Sequence, residues 1–405
     1  MKILQVCHKP PLPAVDGGCI AINNITQMLL AQGHDVKVLA ISTPKHKVEI
    51  RNLPQDYVAK THFETVFVNT TVRRFAALKS LLLGRSYHVD RYVSREMNHK
   101  LKTLLQKEDF DIIQLESLFV APYIPVIRQF SKAKIILRTH NIEHRIWDRV
   151  VRNESSLPRK FVLKSLARNL EKFELSVFGK IDGYMTISDV DYSFFNGKFP
   201  SVSGVVIPFG VNVDDYEPDE EYIPSDTPEL FHLGSLDWLP NREGVEWFLE
   251  EVWPLIFENY PSLTFTVAGR AIPQAMRELP LENVIIAGEV PDSREFMLSK
   301  DIMIVPLLSG SGIRVKIIEG MALGKTIITT SIGAEGLAVE HGKNIFIADT
   351  PEEFVECVGK CVHTPDICKI IGENAASFVA LHHNSDIIVN DLIKFYGSIL
   401  TQKAK

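Results

Sequence analysis

Residues 306–337, PLLSGSGIRVKIIEGMALGKTIITTSIGAEGL, decide how this chain is read. The segment opens on the end of an apolar run (residues 302–307) with the composition of a buried parallel strand. The turn Ser309-Gly310-Ser311-Gly312 follows, then a predicted helix over residues 313–323, which Gly324 stops. A second β-branched strand is predicted over residues 326–330. Strand, Gly/Ser turn, helix, strand is the order that aims free backbone N–H groups and a positive helix end at a phosphate. Arg314 and Lys316 stand just inside the helix start, two cations able to meet phosphate oxygens. Glu319 lies one turn further on the same face, where a carboxylate can accept from vicinal sugar hydroxyls. An ordinary glycine turn with a surface Lys316/Glu319 pair has the same spacing.

Outward from this segment the same alternation repeats. In the second half, a strand at 230–233 leads to Gly234-Ser235-Leu236-Asp237-Trp238-Leu239-Pro240-Asn241-Arg242-Glu243-Gly244 and a predicted helix over 245–257. Arg270 follows a strand at 263–269, and another strand at 283–288 ends before Glu289-Val290-Pro291-Asp292. In the first half, the strand at 2–7 runs into a Pro-rich loop closing on Asp16-Gly17-Gly18, and a helix over 19–32 leads to a strand at 36–41. A Gly-Gly pair before a helix lets backbone approach a ligand at the carboxyl end of a strand. Two further strands, at 111–115 and 134–138, end on Glu116 and on Thr139-His140-Asn141-Ile142-Glu143-His144, so their polar ends converge on one crevice edge. A lone histidine at a strand end is equally at home in a structural role.

Composition bounds the class. The 405 residues suit two α/β domains, 23% charge with 45% hydrophobic residues is ordinary for a globular chain, and a net charge of −6 gives no reason to expect nucleic acid. Five cysteines, Cys7, Cys19, Cys357, Cys361 and Cys368, form no C-x-x-C pair and argue against a disulfide framework, so a reducing cytoplasm is expected. No apolar run is long enough to span a bilayer, and the N-terminus lacks a signal-peptide core. Two regions depart from the acidic whole. Residues 71–106 carry Arg73, Arg74, Lys79, Arg85, Arg91, Arg95, Lys100 and Lys102 among leucines on two predicted amphipathic helices. Residues 132–172 hold eleven basic and four acidic side chains. Such helices either cover a sheet with a solvated basic face or meet an anionic membrane or acceptor.

The G-S-G-x-R-x-K-x-x-E-G-M-A-x-G run at 310–324 resembles the donor signature of retaining glycosyltransferases of family 4. The resemblance implies the GT-B fold: two Rossmann-like doubly wound domains facing across a cleft. It implies that the loop Gly310, Ser311, Gly312 and Ile313, with Arg314 and Lys316, holds the donor diphosphate and that Glu319 binds the ribose. It maps His140 to a residue beside the donor sugar, orienting hydroxyls as a neutral ring. Gly17 and Gly18 become the glycine loop near the phosphates, and Asp16, Glu116, Asn141, Glu143, Gly234, Arg242 and Arg270 become candidate donor or acceptor contacts. The sequence departs from the pattern at four positions. Ser311 replaces a sugar-binding Glu, Phe209 replaces an Asn in the I-P-x-G-V segment at 207–211, and Ser235 and Glu243 replace an Arg and a Lys on the diphosphate.

The expected organisation is an N-terminal acceptor-side domain at 1–212, a linker at 213–228 and a nucleotide-sugar domain at 229–384. A last helix at 385–405 is expected to return to the first domain. The expected function is metal-independent, retaining transfer of a sugar from a nucleotide-diphosphate sugar to a glycan or lipid-linked acceptor, in bacterial cell-surface polysaccharide synthesis. No cofactor and no metal is called for, because cations on the chain serve the diphosphate and no D-x-D motif closes a strand. The expected location is cytoplasmic, with peripheral contact with the inner membrane left open. A nucleotide-sugar epimerase of the same architecture and a non-catalytic binding module remain as alternatives.

Overall fold

The computed structural model describes residues 1–216, 227–310, 314–364 and 366–402. The chain divides into two compact units, Met1–Phe209 with Ile388–Lys405, and Gly210–Ile387.

The first unit is built on seven parallel strands: β1 (Lys2–Cys7), β2 (Asp35–Ser42), β3 (Glu64–Phe67), β4 (Ile112–Glu116), β5 (Lys134–Arg138), β6 (Gly183–Thr186) and β7 (Ser203–Val206). Their order is β3-β2-β1-β4-β5-β6-β7. The central strands are near-continuous apolar runs buried on both faces, as helix-covered parallel sheets require. One face packs on Met97, Leu101, Leu104, Leu170 and Val177. On the other face, Ile22, Ile25 and Leu29 of the helix Gly17–Ala31 share a core with Ile388, Leu392, Tyr396 and Ile399 of the last helix, Ser385–Thr401. The Tyr396 hydroxyl donates to Gln114 Oε1 in the middle of β4.

The second unit carries six parallel strands: β8 (Glu229–Leu233), β9 (Thr264–Ala268), β10 (Val284–Gly288), β11 (Ile302–Val305), β12 (Thr326–Thr329) and β13 (Phe346–Ile347), in the order β10-β9-β8-β11-β12-β13. In both sheets the order reverses at one point, between β1 and β4 and between β8 and β11. That is where open α/β sheets bind ligands, just outside the carboxyl ends of the strands.

Several sequence expectations are corrected here. The predicted helix over 245–257 starts earlier, at Leu239 with Pro240 in its first turn, which suits a proline lacking N–H. It then runs Leu239–Trp247, a π turn Phe248–Val252, and Trp253–Asn259. Pro254 cannot donate to the carbonyl of Glu250, and the chain widens by one residue there. Residues 213–216 are a 3-10 turn, Val213–Tyr216, within the second unit rather than linker, while residues 217–226 lie outside the described residues. The region 71–106 forms three helices, Arg74–Leu82, Tyr87–Asp90 and Arg95–Leu105, not two.

Candidate functional site

In the second unit, the loops after β8 and β11 meet the helix Val315–Ala322. Lys316 turns its ammonium group back to the end of β8, donating to Asn241 Oδ1 at 2.9 Å and to the Leu233 carbonyl at 3.2 Å. Its Nζ also lies 3.4 Å from His232 Nε2. That imidazole contacts the Ile304 carbonyl through Nδ1 at 2.9 Å, and burial followed by the Lys316 charge holds it neutral, well below its ordinary pKa. Burial, then repulsion from Arg314, brings the Lys316 pKa down to about 7. Gly234 is what gives the lysine its place: a Cβ there would stand 2.8 Å from Asn241 Nδ2 and 2.9 Å from Lys316 Nζ.

One turn along the helix, Glu319 lines a pocket of about 290 Å³ with Asp215, Tyr216, Ser293, Arg294 and Met297. The Tyr216 hydroxyl donates to Glu319 Oε1 at 3.3 Å. Burial pushes the Glu319 carboxyl up to about 7, so near neutral pH it is poised between carboxylate and acid. Arg314, at the N-cap of the helix, is almost fully buried with its guanidinium carbon 5.5 Å from the Trp238 ring centre. Gly310, at φ 117°, leaves room for it: a Cβ there would meet Arg314 Nη2 at 3.0 Å. Ser311, Gly312 and Ile313, expected on the diphosphate, lie outside the described residues.

Ser235 and Glu243 each have a partner within the unit. Ser235 Oγ donates to Asp237 Oδ1 at 2.5 Å, and Ser309 Oγ donates to Glu243 Oε2 at 3.0 Å, which pins the β11 loop to the neighbouring helix. Arg242 donates through Nε to the Leu236 carbonyl at 3.0 Å, so it shapes the β8 loop. Arg270 is exposed, 3.9 Å from the Asp237 carboxylate.

In the first unit, the register that sets Glu116 beside Arg138 at the ends of β4 and β5 builds a buried ion pair, Nη1 to Oε2 at 3.3 Å. His140, two residues beyond Arg138, reaches the same Oε2 through Nε2 at 3.0 Å. Burial would raise the Glu116 pKa, but Arg138 and then His140 bring it below the ordinary value. Burial, with Arg138 and Lys9, lowers that of His140, which keeps the ring neutral at pH 7. Glu116 is fully buried, and its carboxylate is shared between Arg138 and His140, so it orients the His140 ring. His8 contacts the Glu116 carbonyl through Nδ1 at 2.8 Å, its ring centre 6.0 Å from that of His140.

Asp16 caps the helix Gly17–Ala31 by accepting from Cys19 N at 2.9 Å. It also accepts from Lys9 Nζ at 2.6 Å and contacts His46 Nε2 at 2.9 Å. Burial opposes its charge, yet His46 and Lys9 hold its pKa far below the ordinary carboxylate range. Asp16 is thus occupied within the loop. Gly18 accommodates the lysine, since a Cβ there would fall 2.4 Å from Lys9 Nζ, and Gly17 opens the helix. Asp16, Cys19 and His46 place ligand atoms within 4.8 Å of one another, but this set does not fit a metal. The Lys9 ammonium already occupies Asp16, and burial pushes the Cys19 thiol up to about 12, far from the thiolate a metal needs. Asn141 sits half-buried in the bend after His140. Glu143 opens the next helix, Glu143–Asn153, and burial, then Glu174, raises its carboxyl to about 8.

Sequence reasoning missed His8, Lys9, His46, Tyr216, His232, Asn241 and Arg294. Three of them, His8, Lys9 and Asn241, sit in stretches already singled out after strand ends, and their polar type there is a usable signal. Tyr216 stands in an acidic stretch with no such mark.

Residues 227–364 match the family model of the glycosyl transferases group 1. The chain is 24% identical to a protein of Klebsiella pneumoniae described as an uncharacterized 44.6 kDa protein in the cps region, over 97% of this chain and 99% of that one. It is 22% identical to the phosphatidyl-myo-inositol mannosyltransferase of Mycolicibacterium smegmatis, covering 82% of this chain and 77% of that one. Its fold matches the structure of Alr3699/HepE of Anabaena in complex with UDP, with a TM-score of 0.68, 14% identity, and coverage of 98% and 100%. The fold is GT-B: two parallel-sheet α/β units.

Proposed function

We propose that this chain is a retaining, metal-independent glycosyltransferase of family 4, which moves a sugar from a nucleoside-diphosphate sugar to a glycan or lipid-linked acceptor in surface polysaccharide synthesis. The family match over 227–364 and the mannosyltransferase relative support the reaction class. The observation that carries the donor assignment is the placing of Lys316 and Glu319 one turn apart at the β8/β11 reversal, a cation by the strand end and a carboxylate in a pocket. A ribose in that pocket gives Glu319 two hydroxyls to accept from, and the attached diphosphate extends toward Lys316, Arg314 and the helix start. As the glycosidic bond breaks, negative charge grows on the β-phosphate, and cations fixed beforehand stabilise it without reorganising. Lys316, near its titration midpoint when alone, is drawn fully to its charged form by the diphosphate. In the first unit, Glu116 accepts from Nε2–H of neutral His140 and holds the ring in one orientation, which leaves Nδ1 to accept from a sugar hydroxyl.

Incubation with UDP-, GDP-, ADP- and CMP-linked sugars in the presence of a chelator, reading nucleotide release and acceptor-linked product, tests the reading. Release from one nucleotide class with product formed on a glycan or lipid acceptor is expected. A requirement for metal contradicts the metal-independent step, and isomerised sugar nucleotide formed without any acceptor replaces transfer by epimerisation.

A further inference from the structure

The helix Arg74–Leu82 turns its apolar stripe outward. Phe75 is 90% exposed, Leu82 79% and Leu78 53%, a spacing of three and four residues that makes one continuous edge along the helix. Val72 before the helix and Leu83 after it are exposed as well. Among the described side chains of this helix only Ser80 is buried, and none of them belongs to the core of the sheet. The helix Leu157–Val177 packs beside it, tied by Asn169 Nδ2 donating to the Arg85 carbonyl at 3.2 Å. That second helix buries Ala167, Leu170, Glu174 and Val177, yet at its start Leu157 is 78% exposed and Phe161 74%, again four residues apart.

The charge around these stripes has one sign. Residues 71–85 hold Arg73, Arg74, Lys79 and Arg85, and residues 157–168 hold Arg159, Lys160, Lys164 and Arg168, with no acidic residue in either segment of a chain whose net charge is −6. Arg85 is paired with Asp90 at 2.7 Å, while Lys79, Arg159, Lys164 and Arg168 are exposed. Large aromatic and aliphatic side chains standing out of a basic surface are the two-part match to an anionic bilayer: apolar groups enter the headgroup boundary and cations meet lipid phosphates.

We propose that the first unit docks on anionic phospholipid membranes through the exposed edge of the helix Arg74–Leu82 and the start of the helix Leu157–Val177. The occupant is the lipid surface itself. A protein partner would face isolated apolar ridges among exposed cations such as Lys79, Arg159, Lys164 and Arg168, whereas a bilayer of anionic lipid satisfies both at once. No described helix is long and apolar enough to cross a membrane, so this contact is peripheral.

Co-sedimentation of the full chain with vesicles of phosphatidylglycerol and phosphatidylcholine, against pure phosphatidylcholine, tests it. Binding to the anionic vesicles, weakening with salt, is expected, with little on the neutral ones. Phe75→Ser with Phe161→Ser should reduce anionic binding at least tenfold, and each of Lys79→Ala and Lys164→Ala by about fivefold. These side chains are exposed, so unchanged melting and an unchanged response to nucleoside diphosphates certify the variants. No vesicle binding at low salt, or equal binding by the Phe variants, overturns the proposal. A dimer seen by sedimentation that Phe75→Ser dissociates, with vesicles left unbound, assigns the ridge to a second copy instead.

Discussion

Tyr216 donates its hydroxyl to Glu319 Oε1 across 3.3 Å, joining a 3-10 turn that precedes the second sheet to the helix that follows β11. The bond favours the ionised carboxylate against burial, which alone pushes it toward the acid form. Replacing Glu319 with Ala should weaken nucleoside-diphosphate binding by about ten- to a hundredfold, the loss of one to two charge-assisted hydrogen bonds. Tyr216→Phe should bind nearly as wild type above about pH 8 and more weakly below about pH 7, where loss of the bond leaves more Glu319 protonated. Calorimetric titration of both variants across pH checks this.

Lys316 and Glu319 give donor binding two proton linkages of opposite sign. Both groups have a pKa of about 7 in the free protein. A diphosphate requires Lys316 charged, so its contribution takes up a proton and weakens as pH rises above 7. The ribose requires Glu319 ionised, so its contribution releases a proton and strengthens through the same range. The wild-type affinity should therefore vary little between pH 6 and 8. In Glu319→Gln it should fall as pH rises, and in Lys316→Met it should rise. Titrations in buffers of different ionisation heat separate the two signs.

Gly234→Ala isolates the lysine's position. The added methyl would lie within 3 Å of both Lys316 Nζ and Asn241 Nδ2, ends of side chains that can move aside. Melting should change by only a few degrees, while turnover falls on the order of 10²-fold, the usual loss on removing one preorganised charge. Activity at the wild-type level with the methyl present would remove Lys316 from the reaction.

Glu116 and His140 should separate stability from turnover. Glu116→Ala leaves Arg138 buried without its carboxylate, a loss of about 3–5 kcal/mol in denaturant unfolding. Because the folded-state pKa of Glu116 is depressed, the wild type holds this contribution above about pH 4.3 and loses it on acidification, and the variant lacks that slope. His140→Ala should keep nucleotide affinity and most of the stability but lose turnover.

The sequence and the structure agree on the frame for a physical reason. Buried parallel strands such as β1, β4, β11 and β12 are short, mostly apolar runs bounded by polar or turn residues, and such runs are legible without coordinates. The sites at both sheet reversals were partly legible, because polar residues directly after a strand end have one edge to occupy. Partners were not. Lys316 meets Asn241 and His232 across two strands, 75 and 84 residues away, and periodicity carries no information on such pairs. Tyr216 lies in a stretch whose acidity resembles a linker until the chain folds. The helix Arg74–Leu82 shows the converse limit: its apolar spacing is real, but spacing does not say which side of the helix meets solvent.

The most direct measurement is calorimetric titration of UDP, GDP, ADP and CMP into the wild type and Glu319→Ala, without added metal, accompanied by thermal unfolding. One nucleotide should bind the wild type, stabilising it by about 2.7 kcal/mol at a hundred times its Kd, and bind Glu319→Ala at least tenfold more weakly. Equal affinity in the two proteins would contradict the donor site at Glu319, and with it the account of how this chain holds its substrate.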